Sequence, residues 1–293
     1  MGGLGYVVPA MLTKNTNVTD GAASLTLGGM FQGAIHGWLI AGVVGGSDVS
    51  SRTGFGLSAI TGAAESVIGF VVGSKSNISE GAAGAINTSA FYGMITGGAL
   101  GLAIVGENAG DDLTVRLSSG LALAGAAGGV LFGNAIASSQ RVTPTDATVY
   151  GVSGLLGATL PISMLALLSP DDLSVRLATA LTAVGTVGGI AAGLAIIKGV
   201  DYPSGDGTGM VLGALAGGLI GLGVGVLTEE PKYTPIIAWG GAAIGFGLAV
   251  VGANPIVEAS SRGSLKFDFN PLGLFLASRT NVAVPVGSLT YRF

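Results

Sequence analysis

Glu65 stands near the middle of a long stretch, Thr53 to Ser74, that carries no other charge. A carboxylate there is costly if the stretch lies in lipid, and such groups usually face a partner, a cavity or an ion pathway. Gln32 and His36 are four residues apart, hence on one face of a helix, and they reach about the depth of Glu65 if the chain folds back on itself near Asp48. His36 is the only histidine. An intramembrane cluster of Gln32, His36 and Glu65 has two readings: a proton- or ion-responsive site built on the imidazole, or a polar clamp between helices.

A second set of charges repeats along the chain. Asp48 and Arg52, Asp112 and Arg116, and Asp172 and Arg176 each stand four apart just before or inside an uncharged run, and Glu229-Glu230-Pro231-Lys232 is a degenerate fourth. At the start of a helix the carboxylate faces the positive end of the dipole and the arginine one turn on completes an ion pair. A ring of charge around a pore mouth is the functional alternative. Asn87, Tyr92 and Asn134 lie inside uncharged runs and are expected to bond across helices. With one histidine and no cysteine there is no hydrolase triad, thiolate site or metal cluster, and the glycine spacings lack the strand, loop and acidic partner of a phosphate or dinucleotide loop. No catalytic residue, metal or cofactor is expected.

The elements that must hold these groups are legible from composition. The 293 residues include 54 glycines, 49% hydrophobic residues and only 10% charged residues, with a mean hydropathy of +0.71. Disorder requires the reverse balance. A net charge of −4 with few basic residues leaves no surface to neutralise phosphates, so nucleic acid is not an expected partner. Between the charges lie eight runs: Gly21 to Ser47, Thr53 to Ser74, Gly81 to Gly106, Leu117 to Gln140, Ala147 to Pro170, Leu177 to Ile197, Gly207 to Thr228 and Tyr233 to Val257. Each has the ~20 residues that a helix needs to cross a hydrocarbon core.

Within the runs, small residues recur every fourth position, as in Gly29, Gly33, Gly37, Ala41 and Gly45, or Gly213, Gly217, Gly221 and Gly225. On a strand, Leu215 and Leu219 would share the face of Gly213, Gly217 and Gly221; on a helix they rotate away and the small column stays intact. Such columns let helix backbones approach closely in lipid. The expected fold is therefore an all-α membrane bundle of eight glycine-zipper transmembrane helices in four tandem hairpin repeats of about 60 residues, with a short β-strand tail. The alternative is a transmembrane β-barrel of about 16 strands, obtained by cutting runs at pairs such as Gly188-Gly189. The expected boundaries are an N-terminal segment 1–20, a repeat domain 21–257 (repeats at about 20–78, 79–144, 145–204 and 205–257) and a β-rich tail 258–293. Met1 to Lys14 has no basic region ahead of an apolar core and does not read as a secretory signal.

The tail alternates apolar and polar residues from Ser264 to Phe269, turns at Asn270-Pro-Leu-Gly273, and ends Val286-Gly-Ser-Leu-Thr-Tyr-Arg-Phe293. Gly287, Leu289, Tyr291 and Phe293 resemble the aromatic C-terminal strand signature of bacterial outer-membrane proteins. The tandem runs also resemble glycine-rich repeat proteins of bacterial envelopes, a likeness that carries no function. The terminal resemblance implies the outer membrane or cell envelope. The expected function is that of a structural membrane protein, with lipid, neighbouring copies or a membrane complex as partners and the tail as a docking element. A passive channel or transporter subunit with a polar site at Glu65 is the alternative, and a porin-like barrel the other.

Overall fold

The computed structural model describes residues 18–106, 110–168, 174–253, 255–257, 264–269 and 287–292. Eight long helices dominate: α1 (Asp20–Gly45), α2 (Ser51–Ser76), α3 (Glu80–Val105), α4 (Asp111–Ser139), α5 (Pro144–Leu168), α6 (Val175–Ile197), α7 (Asp206–Leu227) and α8 (Thr234–Gly252). Strands are confined, among the described residues, to two antiparallel ladders. In one, β1 (Val200–Asp201) pairs with β2 (Ile256–Val257). In the other, β3 (Ser264–Phe269) pairs with β4 (Gly287–Arg292), Leu265 opposite Tyr291 and Phe269 opposite Gly287.

The runs are thus helices, and the 16-strand alternative is not what they form. Helix α6 passes unbroken through Gly188-Gly189, where the barrel reading placed a turn. The cause is local: two helix-promoting alanines, Ala191 and Ala192, follow the pair, and a helix closes its own backbone hydrogen bonds where a strand edge in lipid would leave them open.

Short polar residues start the helices where the charge-free runs begin. Thr19, Ser50 and Ser79 accept hydrogen bonds at 3.2, 3.1 and 3.2 Å from the backbone N–H of Ala22, Thr53 and Ala82. Each satisfies a donor that the first helical turn leaves unpaired. At the far end of α1, Gly46 has a φ of 61°, a left-handed conformation that halts the helix.

The chain divides into two compact units. The first holds α1 to α4 and the first turns of α6; the second holds α5, the rest of α6, α7 and α8 with the strands. In the first unit α1 lies antiparallel to α2, α3 lies antiparallel to α4, and α1 also packs on both α3 and α4. The second unit repeats the arrangement, with α7 antiparallel to α8 and α5 packed on both.

Backbone meets backbone at the hairpin seams. A methyl group added to Gly93 would run into the carbonyl oxygen of Gly125, and one added to Gly125 would run into that of Gly93. Gly217 and Gly241 oppose each other in the same reciprocal way, as do Gly157 and Gly185. The Gly157 carbonyl gains a further role from Pro161, which has no N–H to give it and leaves it free to face α6. In the first hairpin Thr61 replaces one glycine, and its hydroxyl donates to the Gly33 carbonyl at 2.5 Å and to its own helix at Leu57 O at 2.7 Å.

Side chains rotated off these seams are exposed, Leu215 at 58% and Leu219 at 69% among them. Gly217→Leu or Gly189→Leu should therefore lower the unfolding midpoint of the detergent-solubilised protein well beyond Leu215→Ala, by the ~1–3 kcal/mol or more of an overpacked contact. Equal midpoints for the three variants, followed by circular dichroism, would remove the seams as the source of stability.

Candidate functional site: a polar bridge between the first three helices

Helices α1 and α2 cross at Gly29, Gly33 and Gly37, and their close approach brings the side chains flanking that seam within hydrogen-bonding reach. His36 Nδ1 lies 2.7 Å from Glu65 Oε1. The His36 side chain is 13% exposed and that of Glu65 33%, so the imidazole is enclosed while the carboxyl group keeps an open side. With Glu65 ionised, Nδ1–H donates to it and Nε2 is the basic nitrogen of the ring. Nε2 is buried and has no partner.

Gln32 does not join this pair. Its Nε2 donates to the backbone carbonyl of Asn87 on α3 at 2.8 Å, and the Asn87 side chain donates back to Ser24 O on α1 at 3.0 Å. The reason is packing: α1 is flanked by α2 on one side and α3 on another, and Gln32 falls on the α3 side. The expected three-residue cluster is thus two adjacent bridges, His36 to Glu65 and Gln32 to Asn87. Both tie α1 to a neighbour.

The repeated charge pairs separate in the same way. Asp112 and Arg116 form the in-helix pair at 2.8 Å. Arg116 does more, since its Nη1 donates to Val43 O at 2.9 Å and Val44 O at 2.7 Å, while Asp112 Oδ1 accepts from Ser47 N at 3.3 Å. The pair on α4 thereby closes the C-terminal end of α1, where unpaired carbonyls and the negative end of the dipole gather. Asp48 falls in a short 3-10 turn, Gly46–Asp48, and Arg52 lies after the Ser50 cap. These two form no pair, and the physical reason is that the turn between them breaks the helical spacing. Arg176 sits in the first turn of α6 near Gly106; Asp172 lies outside the described residues. Gly287, Leu289 and Tyr291 lie on β4, and Phe293 is likewise outside the described residues.

One polar centre escaped the sequence reading. Asp146 is 1% exposed, and its carboxylate accepts from Thr143 N at 2.8 Å and Tyr202 N at 3.1 Å. Thr143 Oγ1 accepts from Asp146 N at 3.1 Å and donates to Tyr202 O at 2.8 Å. This reciprocal cap is the start signal of α5, and the spacing Thr143-Pro-Thr-Asp146 carries its signature. Asp146 further holds the 198–205 segment against the helix start, above a small core of Val149, Ile197, Tyr202, Met210 and Phe246. Burial, and then the Asp146 charge, push the Tyr202 phenol above its ordinary value. On the same helix Leu156 O accepts from Trp239 Nε1 at 2.8 Å, a bond that ties α5 to α8.

Among the described residues no three metal-capable side chains converge. All eight helices are long and apolar enough to cross a membrane, so the class is that of an all-helical membrane protein with transmembrane helices. Comparison with protein-family models, curated proteins and solved structures gives no match.

Two measurements follow from the bridges. Glu65→Gln retains an acceptor for His36 Nδ1 and should fold with near-native stability, whereas Glu65→Leu strands the imidazole and should cost ~1–3 kcal/mol in a detergent unfolding titration. Asp146→Ala leaves the backbone N–H groups of Thr143 and Tyr202 unpaired and should cost a similar ~1–3 kcal/mol, with Asp146→Asn losing less. Equal midpoints within either set would show the bridge to be without energetic weight.

Proposed function

We propose that this chain is a structural integral membrane protein of the bacterial envelope, four tandem hairpins assembled through glycine zippers, with the β tail docking to a partner or to a neighbouring copy. The observation that carries this reading is the reciprocal meeting of backbones at Gly93 with Gly125 and at Gly217 with Gly241. Sequence spent on close helix packing in hairpin after hairpin, with side chains elsewhere facing outward, describes a bilayer-embedded scaffold better than a solute pathway. The terminal Gly287, Leu289, Tyr291, Phe293 pattern is the support for the outer membrane as its location.

A second reading has its own observation. The His36 to Glu65 bridge, with a basic ring nitrogen buried and unpartnered beside a partly open carboxyl group, is the arrangement from which a proton-responsive channel or transporter subunit would be built. The two readings diverge in one assay. As a structural protein, the native chain and Glu65→Gln both leave proteoliposomes tight to protons and small ions from about pH 5 to 8, the range over which histidine titrates. Ion flux from the native chain that Glu65→Gln abolishes would replace the structural reading with the channel one.

A further inference from the structure

We propose that the cavity between the start of α7 and the end of α8 binds the headgroup of a phospholipid that carries a primary ammonium group. The inference rests on the membrane character of the helices and holds for either reading of the first hairpin.

The cavity exists because the small-residue column of α7 outruns what α8 sets against it. At Gly213 the seam is closed, since a methyl group there would meet the Gly245 carbonyl and the Ala249 side chain. One and two turns earlier, Gly209 and Gly205 continue the column with nothing within 4 Å of where their side chains would start, and Gly252 on α8 is equally open. In α1 the residue one turn before Gly29 is Leu25, which is 8% exposed and fills its place. The last hairpin has instead a cavity of about 440 Å³, with Gly205, Asp206 and Gly209 on one side and Leu248, Ala249 and Gly252 on the other. Its volume is within the range of small-molecule sites.

Helix α5 fixes the α7 wall in place. Gly207 N donates to Thr145 Oγ1 at 3.2 Å, Thr145 Oγ1 to Pro203 O at 2.7 Å and Tyr202 N to Asp146 Oδ1 at 3.1 Å. Gly205 stands where α1, α2 and α3 have Thr19, Ser50 and Ser79, and its φ of 115° is one that a side chain would strain. The opening is therefore built into the helix start and is not a frayed end.

The polar groups at the cavity are acceptors. Asp206 is partly buried, and among the described residues its carboxylate meets no hydrogen-bond donor or cation. A carboxylate in the first turn answers the dipole of its own helix, as Asp20 and Glu80 do on α1 and α3. Here the opposite wall adds the negative end of α8, whose last turn carries no basic residue. A carboxylate and a helix C-terminus on one cavity favour a cation, and one with N–H groups to donate binds the carboxylate more strongly.

Depth says which cation. The 22 residues of α7 span about 33 Å, close to the ~30 Å of a hydrocarbon core, so its first turn lies at the level of lipid headgroups. Leu248 at 52% and Leu212 at 58% exposure flank the cavity on the side where acyl chains run. A lipid ammonium reaches Asp206 while its chains stay in the bilayer. A choline headgroup, with its nitrogen methylated, has no N–H to give.

Native mass spectrometry of the detergent-solubilised protein tests this. The chain is offered an equal mixture of phosphatidylethanolamine and phosphatidylcholine with the same acyl chains. The expected result is one bound phosphatidylethanolamine, retained several-fold above phosphatidylcholine. That preference should be lost in Asp206→Asn and in Gly209→Leu, whose side chain would occupy the cavity. Equal retention of the two lipids by the native chain overturns the proposal. So does a preference that persists in a variant with native helical circular dichroism, since the headgroup then binds elsewhere. Free ethanolamine at the concentration of the lipid should not displace it; displacement means that the cavity takes a soluble amine, and the lipid assignment falls. Should one variant fail to fold the other decides, and should both fail the native chain's ratio of the two lipids decides alone. The structural reading stands or falls separately, in the proteoliposome assay.

Discussion

The approach of one helix backbone to another is the constraint on which the rest of this structure depends. In lipid, burying leucine between helices gains little, because the acyl chains are as apolar as the side chain it would leave. Helices gain by coming close enough for backbone atoms to touch, and that distance is set by the residue at the crossing. Where Gly93 faces Gly125 or Gly217 faces Gly241, no side chain stands between the two main chains. The large residues are displaced to the outer faces, which is why exposed leucine and valine here mark lipid-facing surface and not a failed core.

Close backbones also explain how so many hydroxyl groups are accommodated. Thr26, Ser118, Thr159, Thr179 and Thr182 each donate to the carbonyl one turn earlier in their own helix. A hydroxyl bonded in this way leaves no unpaired donor in the hydrocarbon region and stays small enough to sit near a seam. Groups that cannot satisfy themselves within one helix are those that bridge helices. Gln32, Asn87, His36, Glu65 and Trp239 all reach a neighbouring helix. Polarity in this chain is therefore a record of which helices touch.

The helices themselves were legible in the sequence because two independent signals agreed. The charge-free runs set the length, and the positions between glycines decided the period: Leu215 and Leu219 break a strand face and leave a helix face whole. The starts at Thr19, Ser50 and Ser79 are local chemistry as well, a short hydroxyl side chain just ahead of each helix accepting from its first turn. Partners were harder to read. That Gln32 bonds α3 and not Glu65 depends on which helix lies third against α1, and nothing within α1 states it. The Asp146 centre was missed for the opposite reason, since Thr143 and Asp146 carry a readable cap signature but Tyr202, far along the chain, supplies the backbone groups that make it a latch.

The hairpins share a plan but differ in the residues at their crossings. In α7 and α8 Gly213 and Gly217 meet Gly245 and Gly241, while Gly221 and Gly225 meet Ile237 and Thr234. In α1 and α2 the partners of Gly29, Gly33 and Gly37 are Glu65, Thr61 and Ser58, and each brings a functional group to a crossing where glycine would have sufficed for packing. Thr61 and Ser58 resolve theirs on carbonyls of α1. Glu65 resolves its own only by recruiting the chain's one histidine, and that histidine keeps a buried nitrogen unpaired. An unpaired buried nitrogen costs stability, as does the unpaired buried Ser153 hydroxyl on α5, and the first hairpin differs in placing its unpaired group on a ring that is bonded to a carboxyl group. The structural and the proton-responsive readings consequently differ over a single side-chain pair, and not over the architecture that holds it.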